Sequence, residues 1–576
     1  MQLIRLFTNL FFFHQVSFLN RSPALNHLGP AAILAPVVGG AIVGVMARYG
    51  SEKIRGHGIP EAIESIMVGG SRVEPRVAVL KPISSAISIG SGGPFGAEGP
   101  IIMTGGAIGS LVAQFFDLTG AERKTLLVAG AAAGMAATFG TPAAAVLLAV
   151  EVMLFEWKPR SLVPVVLASV VAAAARVPLL GSRFDFGLVM HGVRVAPPDH
   201  LLRAITPIVF VGCAVAGLLG GLIAVVATRM VYASEDVFVV FGKRFNVHWA
   251  VWPIIGGAAV GLGGLLFPRA LGVGYDTIGL LLTQSQVAYS LIAGVLIVKT
   301  VIWSFSLGSG TSGGVLAPLL MIGGALGALE AHFLPPAGAG FWAMVSMSCV
   351  LGAAMRAPLA AVLFSCEITH NFSMLGPLLV ATACAYAVSA LVLRRSILTE
   401  KVARRGYHLS CEYAIDPLEV LYTREVMRAN AAVLEQNLPL ADFPRHPAHN
   451  ADRSQKLFPV VDNERKIVGV ISRAHLLEES VATAGARTVG DVASNEYTVA
   501  YSHETLKRVA QRMAEQGRTR MPVLDNHASR RVAGMVCLED LLKARVRVME
   551  SEQRRDTYLF PGKLFRRKRA GIKQNP

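Results

Sequence analysis

Residues 90–111, GSGGPFGAEGPIIMTGGAIGSL, and residues 308–329, GSGTSGGVLAPLLMIGGALGAL, agree at 11 of 22 positions when laid over one another without a gap. A second pair follows: PAAAVLLAVE at 142–151 and PLAAVLFSCE at 358–367 agree at 6 of 10. Two blocks in the same order, 218 and 216 residues apart, mean that the chain builds one apolar, glycine-rich unit twice. The copies differ at one costly position. The first has Glu98, the only charge in its stretch, where the second has Leu316.

Several of the apolar segments are short for a membrane crossing, which needs about 20 residues, and they are broken by Gly and Pro. Short, interrupted segments at corresponding positions of two halves are the mark of an inverted-repeat transporter with its site at mid-membrane. The chain is 53% hydrophobic and 16% charged, against about 25% charge in soluble proteins. The expected fold is an all-α polytopic membrane domain over 31–399, two inverted repeats of tilted, broken helices. The preceding 1–30 lacks a small-residue cleavage site and reads as a retained interfacial segment.

The apolar runs stop near Leu393, and the last 176 residues hold +9 of the net charge of +16. Arg394, Arg395, Lys401, Arg404 and Arg405 follow the last run directly, which by the positive-inside bias puts the remainder in the cytoplasm. That location accounts for the basic balance without nucleic acid, and the KLFRRKRA run of the tail reads as a solvated or headgroup-facing end. The six cysteines form no CxxC pair, so neither a zinc site nor a disulfide framework is indicated.

After a linker at 400–420, LFPVVDNERKIVGVISRAHLL (457–477) and RMPVLDNHASRRVAGMVCLEDLL (520–542) resemble each other. Each reads as strand, Asp-Asn turn, strand and helix start. The expectation is a duplicated α/β unit over 421–550 and a basic tail at 551–576.

Three glycine-rich elements end in Pro: Gly56-His57-Gly58-Ile59-Pro60, Gly96-Ala97-Glu98-Gly99-Pro100 and Gly313-Gly314-Val315-Leu316-Ala317-Pro318. Pro in a first helical turn forfeits only an unpartnered N–H, and a bare helix N-terminus carries roughly half a positive charge, which suits an anion. Within a membrane such backbone must be buried in protein or line a hydrated cavity, so three of them point to an ion pathway that binds with partial charges and releases quickly. Close helix packing is the other use of such glycines. Glu98 marks a proton or ion route: it can fill the anion's place when ionised and leave when protonated. Glu151 and Glu367, kept in both copies, point to a shared structural role, capping or satisfying backbone groups.

These residues resemble the CLC family of chloride channels and proton-coupled anion antiporters. The three elements are similar to its GSGIP, GKEGP or GREGP, and GGIFAP motifs, and the C-terminal duplication to a pair of cytoplasmic CBS domains. The resemblance implies a homodimer in the lipid bilayer with one pore per subunit. It implies Glu98 as the external gate, and an anion held by His57, Gly58 and Ile59 and by Gly314, Val315 and Leu316. It also implies an adenine nucleotide at the CBS pair, with Asp540 at the ribose position and His475 at the matching place in the first copy; a purely structural role for the pair is the alternative.

The departures from the family pattern are as informative. His57 stands where the family has an anion-coordinating Ser, Ala97 where it has a basic residue, and Leu316 where it has Phe. Leu398 stands where the final motif supplies a pore-facing Tyr. Val152 stands where the antiporters place a proton-transferring Glu, which tilts the expectation to a chloride channel gated by Glu98; a proton/chloride antiporter is the alternative. A membrane enzyme is disfavoured, since no His-Glu-x-x-His or nucleophile-base pair falls in the apolar region. No cofactor beyond bound chloride is expected, and the length and short loops suit a bacterial inner membrane.

Overall fold

The computed structural model describes residues 1–67, 71–180, 206–284, 287–405, 418, 421–448, 455–482 and 487–553. The KLFRRKRA run, most of the linker and Cys411 lie outside them. The chain divides into two compact units, Met1–Tyr413 and Ala414–Pro576.

The first unit is helical. Among its described residues six helices are long and apolar enough to cross a membrane, including Gly29–Tyr49, Pro207–Phe245 and Tyr289–Gly308. Shorter apolar helices stand between them, at Pro142–Leu154, Leu316–Glu330, Phe341–Met355 and Pro358–Thr369. These are the broken segments. Pro sits in the first turn of Glu98–Ala113, of Leu316–Glu330 and of Pro358–Thr369, where its missing N–H costs nothing.

The repeat seen in two blocks extends through the whole unit. Helix Leu34–Tyr49 is matched by Trp252–Leu266, and Glu98–Ala113 by Leu316–Glu330, at the 218-residue offset. The relation between the halves shows in hydrogen bonds. Gly96 and Gly314 are repeat equivalents, and they pair with each other in antiparallel fashion, the Gly96 N–H donating to Gly314 O at 3.1 Å and the Gly314 N–H to Gly96 O at 2.7 Å. A residue exchanging both bonds with its own equivalent lies on the pseudo-twofold axis of an inverted repeat.

Glu151 and Glu367 obey the same symmetry. Glu151 accepts from the N–H of Leu359 at 3.3 Å and of Ala360 at 2.9 Å; Glu367 accepts from Ala143 at 3.0 Å and Ala144 at 2.8 Å. Each carboxylate therefore caps the start of the other repeat's helix, satisfying donors that have no partner within it.

The second unit holds two three-stranded sheets of one topology. In each, a short strand runs parallel to a second that pairs antiparallel with a third: β1 Leu434–Glu435, β2 Leu457–Val461, β3 Ile467–Ser472, and β4 Ala500–Tyr501, β5 Arg520–Leu524, β6 Val532–Cys537. Even the register shift recurs, at Val460/Val461 and at Val523/Leu524. The copies meet where the Ile467 N–H donates to Arg530 O at 3.1 Å.

Candidate anion site

The three glycine-rich elements come together, although 258 residues separate the first from the last glycine of the set, Gly56 from Gly314. The Gly313 N–H reaches Gly56 O at 3.4 Å, and Gly96 pairs with Gly314 as above. The glycines are required by this convergence. A Cβ on Gly58 would lie 2.7 Å from Gly99 O, one on Gly99 would collide with His57 O, and one on Gly314 would lie 2.7 Å from Gly96 O. Close packing and bare backbone are thus the same fact: at Gly58, Gly99 and Gly314 no Cβ fits where the three helix starts meet.

Glu98 lies in this convergence, 1% exposed. Its carboxylate folds back between the halves: a Cβ on Gly314 would lie 2.9 Å from Oε2, and one on Gly96 would strike the same atom. It faces the backbone N–H of Ala317, in the first turn of Leu316–Glu330, and Oε1 accepts a hydrogen bond from the Tyr275 hydroxyl at 3.3 Å. A negative group therefore sits against the positive end of the second repeat's helix, where a small free anion would be held. Val315 and Leu316 are buried at that helix start.

The His57 element is held from beneath. Lys81, fully buried, donates to Ile54 O and Gly56 O, both at 2.7 Å. The Gly58 N–H donates to Glu61 Oε2 at 2.9 Å, and Glu61 Oε1 pairs with Lys401 at 2.6 Å, so the Gly58 amide is taken up within the protein. His57 is 4% exposed and its Nδ1 meets no protein partner. It lines a cavity of about 320 Å³ with Arg55, Lys401, Arg404, Trp249 and Trp252, where the Arg55 guanidinium lies 4.4 Å from the Trp249 ring centre.

Leu398 is buried in the apolar core, and the carbonyl before it, Ile397 O, accepts from the Tyr232 hydroxyl at 2.6 Å. Val152 is likewise buried, within the π-helical turn Ala149–Leu154. Its neighbour Glu151 is committed to capping and does not stand in for it.

Lys81, Lys299 and Tyr275 escaped sequence reasoning. Lys299 is fully buried and donates to Gly272 O at 2.7 Å; with Gly272 it repeats Lys81 and Ile54 at the 218-residue offset. Tyr275 is the repeat equivalent of His57. Carrying the offset beyond the identical blocks finds all three.

In the second unit Asp540 is engaged. Its Oδ1 accepts from Arg428 Nε and Nη2, both at 3.1 Å, and its Oδ2 from the Cys537 N–H at 3.0 Å. Arg428 also borders a cavity of about 290 Å³ with Lys456 and Arg520. His475 lies at the start of helix Arg473–Ala482, exposed, its N–H donating to Ser472 Oγ at 3.1 Å.

Comparison with known proteins follows the same division. The family model described as "voltage gated chloride channel" matches residues 39–390, and that of the CBS domain matches 424–482 and 489–547. Proteins named voltage-gated ClC-type chloride channel ClcB, from Escherichia coli O17:K52:H18 and Shigella boydii serotype 18, are 29% identical over 398 residues, covering 66% of this chain and 90% of each relative. A slow cyanobacterial Cl−/H+ antiporter superposes with TM-score 0.55 at 24% identity, covering 65% of this chain and 87% of that one. A CLC-type fluoride/proton antiporter gives 0.54 at 22%, covering 69% and 93%. A eukaryotic CLC transporter gives 0.52 at 19%, covering 88% and 89%, a likeness of fold that extends into the second unit.

Proposed function

The chain belongs to the voltage gated chloride channel family, and from that premise we propose that it carries chloride through one path per subunit of a homodimer, with Glu98 as the gate. The observation that carries this reading is the carboxylate lodged between Gly96 and Gly314 against the start of Leu316–Glu330. It occupies the place of the anion, and its departure on protonation frees that place. Val315 and Leu316 offer backbone N–H groups to the ion, and His57, from the other side, offers an unpartnered ring nitrogen. The arginines and lysine around the His57 cavity draw anions toward it.

Two mechanisms use this site. Passive conduction is favoured by Val152, which removes a protonatable group where coupling would need one. Proton-coupled exchange is favoured by the antiporters of like fold, with His57 as a protonatable group to assist it. Reversal potentials of purified protein in liposomes under opposed chloride and proton gradients separate them: uphill proton movement driven by chloride sinks the channel reading. Chloride flux in Glu98→Gln tests the gate in either case, and flux equal to wild type refutes it.

The relatives and the basic run after Leu393 support a bacterial inner membrane with the CBS pair in the cytoplasm. For that pair we propose a regulatory role in which an adenine nucleotide's phosphates meet Arg428, Lys456 and Arg520, its ribose competing with Arg428 for Asp540. Calorimetric titration of the full chain with ATP tests it; no heat of binding removes the nucleotide and leaves a structural pair.

A further inference from the structure

The carboxylate of Glu98 stands where an anion can stand, so the groups around it outline what an anion there would meet. Most of that outline is backbone: Gly96, Gly314 and the N–H of Ala317. The remaining contact is a side chain, the Tyr275 hydroxyl on Oε1. We infer that Tyr275 is both the latch of Glu98 and a ligand of the transported anion, donating its O–H to the carboxylate while that fills the site and to chloride once it has left.

The repeat gives this an independent footing. His57 and Tyr275 occupy the same repeat position, each following a glycine in the left-handed region, Gly56 at φ +79° and Gly274 at φ +83°. Each loop is clamped by a buried lysine of the same repeat position, Lys81 or Lys299. The fold thus presents one ring to the centre from each half. A Cβ on Gly274 would strike Met321 Sδ and lie 3.3 Å from Lys299 Nζ, so the backbone ahead of Tyr275 has little freedom and the hydroxyl is aimed rather than adrift. Tyr275 also borders a cavity of about 270 Å³ whose lining includes Arg5, Arg21, Arg269 and Asp276. Leu398, by contrast, offers no donor. The hydroxyl missing from that position is supplied by Tyr275.

The inference rests on the reading of Glu98 as gate, and the experiment separates the two. Chloride efflux from liposomes and chloride affinity by calorimetry are measured for wild type, Tyr275→Phe, Glu98→Gln and the double variant. Phe keeps the ring and its packing. Tyr275→Phe is expected to speed efflux severalfold in the wild-type background, because the latch is lost. In the Glu98→Gln background it is expected to weaken chloride binding about tenfold, the share of one hydrogen bond to a charged partner. A merely structural tyrosine would not move chloride affinity once the carboxylate is gone. Tyr275→His, which keeps a donor, is expected to stay within about threefold of wild-type affinity and serves if the Phe variant does not yield monodisperse protein. Unchanged affinity in the double variant overturns the ligand role while faster efflux of Glu98→Gln leaves the gate standing. Glu98→Gln efflux equal to wild type overturns the gate and the latch, and the affinity comparison still decides the ligand role.

Discussion

The two halves of the membrane unit are copies in backbone and opposites in charge. Both open a helix at a glycine-rich turn, both clamp a loop with a buried lysine, and both send a glutamate across to cap the other half. Yet the repeat equivalent of Glu98 is Leu316, and that of Glu61 is Gly279. The duplication made a symmetric frame, and a few side chains turned it into a site with a direction. Backbone donors alone would bind an anion equally from either side.

The largest effect comes from forcing the charges into symmetry. Leu316→Glu places a second carboxylate in a buried apolar position, within the same convergence of helix starts that already holds Glu98. It is expected to cost at least about 3 kcal/mol of stability and to suppress chloride efflux, by thermal unfolding in detergent and by liposome flux. Wild-type stability and flux in that variant would mean that the halves are interchangeable and the asymmetry carries no function.

The buried lysines come next. Lys81 makes two hydrogen bonds to carbonyls and neighbours Glu61, whereas Lys299 makes one to Gly272 O. Removing one partner from a buried charged group costs about 3–5 kcal/mol, and that is the expectation for Lys81→Met. Lys299→Met removes a costly buried ammonium along with its single bond, and about 1–2 kcal/mol is expected. Equal costs would erase the distinction between the halves at this position.

The caps sharpen the comparison by being equal. Glu151→Ala and Glu367→Ala each leave two helix-start N–H groups without a partner, and each is expected to cost about 2 kcal/mol. A double variant at roughly the sum shows independent caps. A large excess in one of the singles would show that its glutamate has a second task.

Much of this was legible beforehand, for a physical reason. A strict offset between glycine-rich blocks survives because no Cβ fits on the glycines where the helix starts converge, so the frame could be read from Gly96, Gly314, Pro100 and Pro318. Glu98 was legible because a lone carboxylate in an apolar stretch has few uses. That Glu151 and Glu367 cap was expected; that each caps the other half was not, because local sequence carries no sign of pairing across two hundred residues. Tyr275 was missed because a half-buried tyrosine at the start of the nine-residue helix Tyr275–Thr283 has no pattern of its own. Helix Pro207–Phe245 is not bounded by its apolar residues: it continues past Arg229 and Asp236, which Arg404 meets at 2.5 Å. Length set by ion pairs at a helix's polar end leaves no hydropathy signal.

The smallest effect tests whether the CBS duplication has diverged in the same way, by charge on a kept frame. In the second copy Glu504 accepts from Arg512 at 2.6 and 2.9 Å and from the Tyr501 N–H at 3.0 Å; at the offset that aligns β1 with β4 the first copy has Leu438 and His446. Burial alone would raise the Glu504 carboxyl, but the Arg512 hydrogen bonds and charge outweigh it and hold the group below its ordinary value. A carboxylate depressed in the folded state contributes stability above its unfolded pKa and loses it as pH falls through the folded value. The second copy is therefore expected to loosen below about pH 4.5, by no more than about 1 kcal/mol for a partly exposed pair, while the first copy shows no such step from these positions. Hydrogen exchange across β4–β6 and β1–β3 of the full chain, followed from pH 6 downward, reads the two separately. Glu504→Gln should remove the step, and a step that persists in that variant assigns the acid sensitivity elsewhere.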